Sequence, residues 1–140
     1  MGAMYTGIYL GVGGLPLTFT VNATPLLVGT GLKTGSQLPG LVGVEVDAVF
    51  GGSDMLRGHT SILAATYVPG HYTLQNKCSA CGSWMDMTLY TAPSGARVFD
   101  AGTLRLAWGL STTIQPSWPA TAQSPAAFQR FMTNLLAYLL

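Results

Sequence analysis

Residues 87–110 read MTLYTAPSGARVFDAGTLRLAWGL and contain the clearest strand-turn-strand pattern of the chain. The tetrapeptide Ala92-Pro93-Ser94-Gly95 favours a tight turn, because proline fixes φ and glycine accepts positive φ values. Apolar and hydroxylated residues, which suit strands, flank the turn on both sides. The stretch therefore predicts a β-hairpin with strands at residues 85–91 and 96–108.

A helix is predicted at the C-terminal end. Ser124 is a natural N-cap, and Pro125 suits the first helical position. Apolar residues then recur at i, i+3, i+4, i+7, i+8 and i+11, which places them on one side of a helix. They are Phe128, Phe131, Met132, Leu135, Leu136 and Leu139. The pattern predicts an amphipathic helix that packs on the sheet.

The rest of the chain is typical of β structure. Period-2 or apolar runs predict strands within residues 4–12, 17–21, 41–50 and 60–68. The glycines and Pro39 predict a loop over residues 31–43, and residues 71–83 read as irregular. The 140 residues, without a repeat or linker, favour one domain spanning 1–140. The predicted fold class is α/β and β-rich.

Charge is the unusual feature of the composition. Only 8% of the residues are charged and the formal net charge is +1, whereas ordinary soluble domains carry about 25% charged residues. Lys and Arg are never closer than eight positions apart, which argues against nucleic acid as a partner. Gly, Pro and polar residues interrupt every apolar run, which argues against a membrane span. We expect copies of the chain, the rest of a larger chain, or glycan to cover much of the surface.

Two stretches carry a family resemblance. Residues 30–47 read TGLKTGSQLPGLVGVEVD, and residues 87–110 are those quoted above. Together they resemble the C-terminal domain of N,N-dimethylformamidase large-subunit proteins. The resemblance implies a layered α/β sandwich similar to class I glutamine amidotransferases. This chain would match the C-terminal portion of that sandwich, with a partner in the missing part of a larger chain.

The resemblance also singles out Glu45 as a candidate metal ligand. It implies a mononuclear iron held by tyrosine and carboxylate oxygens, and Glu45 lies in the stretch that would supply such a carboxylate. Hard oxygen ligands suit iron, but one carboxylate does not make a site. The alternative is a carboxylate at a strand end that pairs with an arginine or caps a loop. No other cofactor is expected.

Two further motifs concern covalent modification. Cys78 and Cys81 form a lone Cys-x-x-Cys in a predicted loop, which we interpret as a short-loop disulfide. Free thiols, metal binding and redox chemistry are the alternatives. Asn22-Ala23-Thr24 is an N-glycosylation sequon. A disulfide or a glycan would place the protein outside the cytosol or on the cell surface.

The sequence contains no complete catalytic set, so we do not expect it to act as an enzyme on its own. The leading hypothesis is an extracellular structural or self-assembling subunit that forms filaments or a surface layer with copies of itself. One alternative is the C-terminal part of an amidohydrolase-like enzyme that acts on a small amide, with iron. The other is a module that binds carbohydrate or a cell surface.

Overall fold

The computed structural model describes residues 3–9, 11, 13–21, 24–49, 60–72, 77–78, 82–111 and 125–140. Within these ranges, nine strands precede one long helix. The strands are β1 (Met4–Tyr9), β2 (Leu15–Thr18), β3 (Gln37–Val42), β4 (Val44–Ala48), β5 (Thr60–Val68), β6 (His71–Tyr72), β7 (Lys77–Cys78), β8 (Ser83–Thr91) and β9 (Arg97–Asp100). Two 3₁₀ helices cover Pro25–Leu27 and Leu104–Leu110, and helix α1 covers Pro125–Leu139. The predicted β-rich fold with a terminal helix is confirmed.

The described strands form three small antiparallel sheets that adjoin one another. Their orders are β4-β1-β6-β7, β2-β3 and β5-β8-β9. The amide of Thr20 donates to the carbonyl of Leu63 at 3.0 Å and thereby links the end of β2 to β5. The amide of Asp47 donates to the carbonyl of Gly102 at 2.9 Å, which links β4 to the chain that follows β9. These two backbone hydrogen bonds therefore link parts of the fold that are far apart in the sequence.

The predicted hairpin is confirmed, but its second strand is shorter than expected. Ala92 and Gly95 close the turn through backbone hydrogen bonds, and β8 pairs with β9. The second strand ends at Asp100 rather than at residue 108, because the Asp100 carboxylate accepts the Gly102 amide and turns the chain. The 3₁₀ helix Leu104–Leu110 then replaces the predicted strand end.

Two segments that the sequence reads as irregular contain strands. Within the predicted loop 31–43, Gln37–Val42 forms β3 and pairs with β2. Burial of Leu38, Leu41 and Val42 stabilises this strand despite Pro39 and Gly40. Residues 71–83 contain the short strands β6 and β7 and the first residue of β8. Pairing with distant strands overrides local propensity in both places.

Helix α1 packs its apolar side on the sheets, as predicted. Phe128, Phe131 and Leu135 are buried in the same hydrophobic cluster as residues of β2, β3, β4, β5 and β8. Leu136, which the periodicity placed on the same stripe, is 58% exposed, so the buried stripe is narrower than predicted. The Asn134 side chain donates to the carbonyls of Leu26 and Val28 and ties the helix to the first 3₁₀ helix.

No helix among the described residues is long and apolar enough to cross a membrane.

Candidate functional site

Two carboxylates lie on one face of β4. Glu45 and Asp47 alternate with the buried residues Val46 and Ala48. Successive side chains of a strand point to opposite faces, so both carboxylates point away from the core. Asp47 lies opposite Tyr5 of β1. Strand β4 therefore presents two acidic groups within one short segment, both partly exposed.

Gly102 brings a third carboxylate, Asp100, to the same place. Its carbonyl accepts the amide of Asp47, and its amide donates to Oδ1 of Asp100 at 2.9 Å. Gly102 has a φ of +69°, and a Cβ atom there would lie 2.5 Å from the carbonyl oxygen of Asp86. Only glycine satisfies both conditions without strain. The junction of β4 with the end of β9 thus depends on this residue.

The two neighbouring carboxylates affect the protonation of Asp47. The pKa of Asp47 is raised from 3.8 to about 6, first by burial and then by the negative charges of Asp100 and Glu45. Burial and like charges both disfavour the ionised form. A carboxyl group with a pKa near neutrality can accept or donate a proton under physiological conditions. Perturbed groups of this kind cluster at functional sites.

A fourth carboxylate, Asp86 of β8, is almost fully buried. Its Oδ2 accepts the amide of Val49 at 2.9 Å. Burial raises its pKa, and the hydrogen bond from Val49 acts in the opposite direction. The side chain therefore fastens the end of β4 to β8, while its charged form is disfavoured.

The comparison with protein families gives one match. Residues 1–121 match the family described as N,N-dimethylformamidase beta subunit-like, C-terminal. The chain belongs to this family. The match confirms the resemblance inferred from the two sequence stretches. It ends before helix α1, which lies outside the matched residues. No curated protein and no solved structure matches the chain.

The structure of this dimethylformamidase-like chain locates some of the residues predicted from the sequence. Glu45 lies on β4, close enough to Asp47 for its charge to raise the pKa of that group. Asn22, Cys81 and the side chain of Cys78 lie outside the described residues, so the predicted disulfide and glycan stay predictions. Among the tryptophans, Trp108 is half-buried, Trp84 is exposed, and Trp118 lies outside the described part.

Among the described residues of this dimethylformamidase-like chain, an iron site at Glu45 would not rest on His, Cys, Asp and Glu side chains alone. No three or more His, Cys, Asp or Glu side chains in the described ranges lie close enough together to hold a metal ion. Glu45 as an iron ligand therefore stays a prediction.

Sequence reasoning singled out Glu45 alone and missed three acidic residues near it, Asp47, Asp100 and Asp86. Asp100 was placed inside a long strand. The Asp-x-Gly pattern at residues 100–102 was the available signal, because Asp side chains often accept the amide two residues on. Asp86 carried no local signal, since its burial depends on the end of β4.

The raised pKa of Asp47 predicts that the stability of the protein depends on pH. The pKa of Asp47 is higher in the folded state, about 6, than its ordinary value of 3.8. Its contribution to stability is thus fully present below about pH 4 and is lost as the pH rises through 6. We expect Asp47→Asn to flatten the fall in the free energy of unfolding between these values, measured by urea denaturation. Parallel curves for the two proteins would contradict the assignment.

Proposed function

We propose that this chain is the C-terminal part of an amidohydrolase-like enzyme that hydrolyses a small amide. Membership of the dimethylformamidase beta subunit-like family is the observation that carries the proposal. The carboxyl group of Asp47, with its pKa of about 6, supports it. This function was the alternative reading of the sequence, and the family match favours it over a purely structural role.

Asp47 is the candidate for proton transfer. In amide hydrolysis, the oxygen of a water molecule bonds to the carbonyl carbon, the C–N bond breaks, and the nitrogen leaves with a proton. The ionised Asp47 would accept the proton from water and then give it to the leaving nitrogen. Asp100 and Glu45 would keep the basicity of Asp47 high through their charges. No step is assigned to iron.

The proposed partner is the rest of a beta subunit. The matched family is described as a C-terminal part, and Leu104 and Leu110 of the second 3₁₀ helix are exposed beside a largely apolar cavity of about 280 Å³. Exposed apolar groups of this kind favour association. We propose that docking at this surface completes the amidotransferase-like layered sandwich and the set of catalytic groups.

The test is an amidase assay on the native complex, purified through a tag on this chain. We expect hydrolysis of N,N-dimethylformamide and a loss of at least about 100-fold in kcat for Asp47→Asn, the range typical of a general base. The matched control is Asp100→Asn, which keeps an oxygen to accept the Gly102 amide. It should remain active, with the acidic limb of its pH profile shifted to lower pH, because removing the Asp100 charge lowers the pKa of Asp47.

Two outcomes would contradict this proposal. A native complex without amidase activity would contradict the proposed reaction. An unchanged kcat in Asp47→Asn would contradict the proposed role of Asp47. In the second case the pH profile of Asp100→Asn should also match that of the wild type.

A second candidate function is an extracellular structural or self-assembling subunit. The low charge content and the exposed side chains of Met4, Trp84 and Leu136 favour it. This candidate includes secretion, a Cys78–Cys81 disulfide and a glycan on Asn22, which mass spectrometry of the native protein would detect. Light scattering and electron microscopy would decide the assembly itself, since filaments support it and a monomer contradicts it.

A further inference from the structure

An open cleft lies beside the carboxylate of Asp86. Its volume is about 560 Å³, and its walls come from the end of β4, the middle of β5 and the start of β8. Ile62 and Ala65 of β5 supply apolar wall, and Trp84 supplies an aromatic one. The cleft is therefore a mixed surface with one acidic group and a largely apolar lining.

Asp86 lacks a counter-charge in this cleft. It is 6% exposed, and within the described residues its carboxylate accepts one hydrogen bond, from the Val49 amide to Oδ2. Its pKa is governed by burial and by that amide, and no charged side chain of the described ranges contributes. An ionised buried carboxylate without a cation is costly. A positively charged ligand would remove this cost.

The aromatic wall is held in place by neighbouring residues. Tyr67 and Trp84 are directly opposed on β5 and β8, and their rings meet edge to face with centroids 5.7 Å apart. Both rings are more than half exposed. Gly82 allows this arrangement, because a Cβ atom there would lie 1.7 Å from the Tyr67 hydroxyl. The contact with Tyr67 thus limits the orientations of the Trp84 ring.

The spacing of the charged and aromatic groups fits one small ion. Trp84 and Asp86 are two residues apart on one strand, so their side chains leave the same face about 7 Å apart. A tryptophan ring attracts cations through its electron-rich face, and a carboxylate attracts them by charge. An alkylated ammonium ion can contact both at once, and its alkyl groups suit the apolar walls. A metal ion fits less well, because the described ranges offer it no group of three ligands.

We propose that this cleft binds a small alkylated ammonium ion between the Trp84 ring and the Asp86 carboxylate. The cleft shares no residue with the Asp47 cluster, so this proposal and the proposed amidase function can fail independently. Trp84 would supply the cation–π contact and Asp86 the charge. Tyr67 would hold the Trp84 ring in place.

The test is NMR titration of the full chain with tetramethylammonium chloride, followed on the Trp84 indole N–H. Sodium chloride at equal ionic strength and tert-butanol, a neutral molecule of similar size, are the ligand controls. We expect saturable shifts with tetramethylammonium only. Trp84→Leu and Asp86→Asn should each weaken binding about tenfold, as expected for the loss of one cation–π contact or one charge, with the variant lacking Trp84 followed on the Val49 amide.

Control variants separate binding from folding. Asp86→Asn keeps an oxygen for the Val49 amide, and Trp84 is exposed, so both proteins should keep the wild-type circular dichroism spectrum. Asp100→Asn is the matched charge control and should bind tetramethylammonium as the wild type does. Equal shifts with tert-butanol, unchanged affinity in Asp86→Asn and Trp84→Leu, or tighter saturable binding of methyl glucoside than of tetramethylammonium would overturn the proposal.

Discussion

Phe131→Ala is expected to lower the free energy of unfolding by about 3–5 kcal/mol, the range for a large aromatic residue in a core. The Phe131 side chain is fully buried. Its ring meets Phe19 edge to face at 5.4 Å and stacks near Phe128 at 6.0 Å. The substitution would open a cavity between helix α1 and the sheets, and urea denaturation would measure the loss.

The matched control for this substitution is Leu136→Ala on the same helix. Leu136 is 58% exposed, so removing its side chain should change the free energy of unfolding by less than about 1 kcal/mol. Equal effects of the two substitutions would mean that helix α1 is not packed on the sheets through Phe131.

Gly102→Ala is the second substitution with a large expected effect. A residue with a side chain costs about 1–2 kcal/mol in the left-handed region, where Gly102 lies with a φ of +69°. The added Cβ would also lie 2.5 Å from the Asp86 carbonyl oxygen and 2.9 Å from its carbon. Because these are backbone atoms, β8 must move, and we expect a total loss of about 3 kcal/mol or more.

Gly95→Ala separates the two costs of that substitution. Gly95 has a φ of +86°, and a Cβ there would meet nothing within 4 Å. The free energy of unfolding that Gly95→Ala loses should therefore reflect the backbone conformation alone, about 1–2 kcal/mol. If urea denaturation gives equal losses for Gly95→Ala and Gly102→Ala, the close contact between Gly102 and β8 does not exist.

The parts of the fold that local patterns determine were predictable. The turn at residues 92–95 and the helix periodicity after Pro125 gave the hairpin and helix α1, because both elements follow from neighbouring residues. Strand β3 was not predictable, since Pro39 and Gly40 favour a loop and only burial against β2 makes it a strand. The early end of β9 depended on the Asp100–Gly102 turn, which interrupts an otherwise strand-like run.

The candidate site was predictable only in part. Glu45 was predictable from the family resemblance, and Asp47 lies two residues further along the same strand. The raised pKa of Asp47 depends in part on Asp100, more than 50 positions further along the chain. The backbone hydrogen bond between Asp47 and Gly102 links these two parts of the chain. Contacts at that separation leave no trace in local periodicity. Asp86 and its cleft could not be predicted from the sequence for the same reason.

The C-terminal helix contributes to the hydrophobic core although it lies outside the family match. Helix α1 lies beyond the residues that match the dimethylformamidase-like family. It nevertheless supplies Phe128, Phe131 and Leu135 to the same core as the matched strands. The helix therefore completes the core of the matched region.

The measurement that tests the central claim most directly is an NMR titration of the side-chain carboxyl carbon of Asp47. We expect a midpoint near pH 6 in the wild type. In Asp100→Asn the midpoint should move to lower pH, because one of the charges that raise the pKa is gone. A wild-type midpoint near the ordinary value of 3.8 would contradict the raised pKa of Asp47 and, with it, the role proposed for Asp47 in amide hydrolysis.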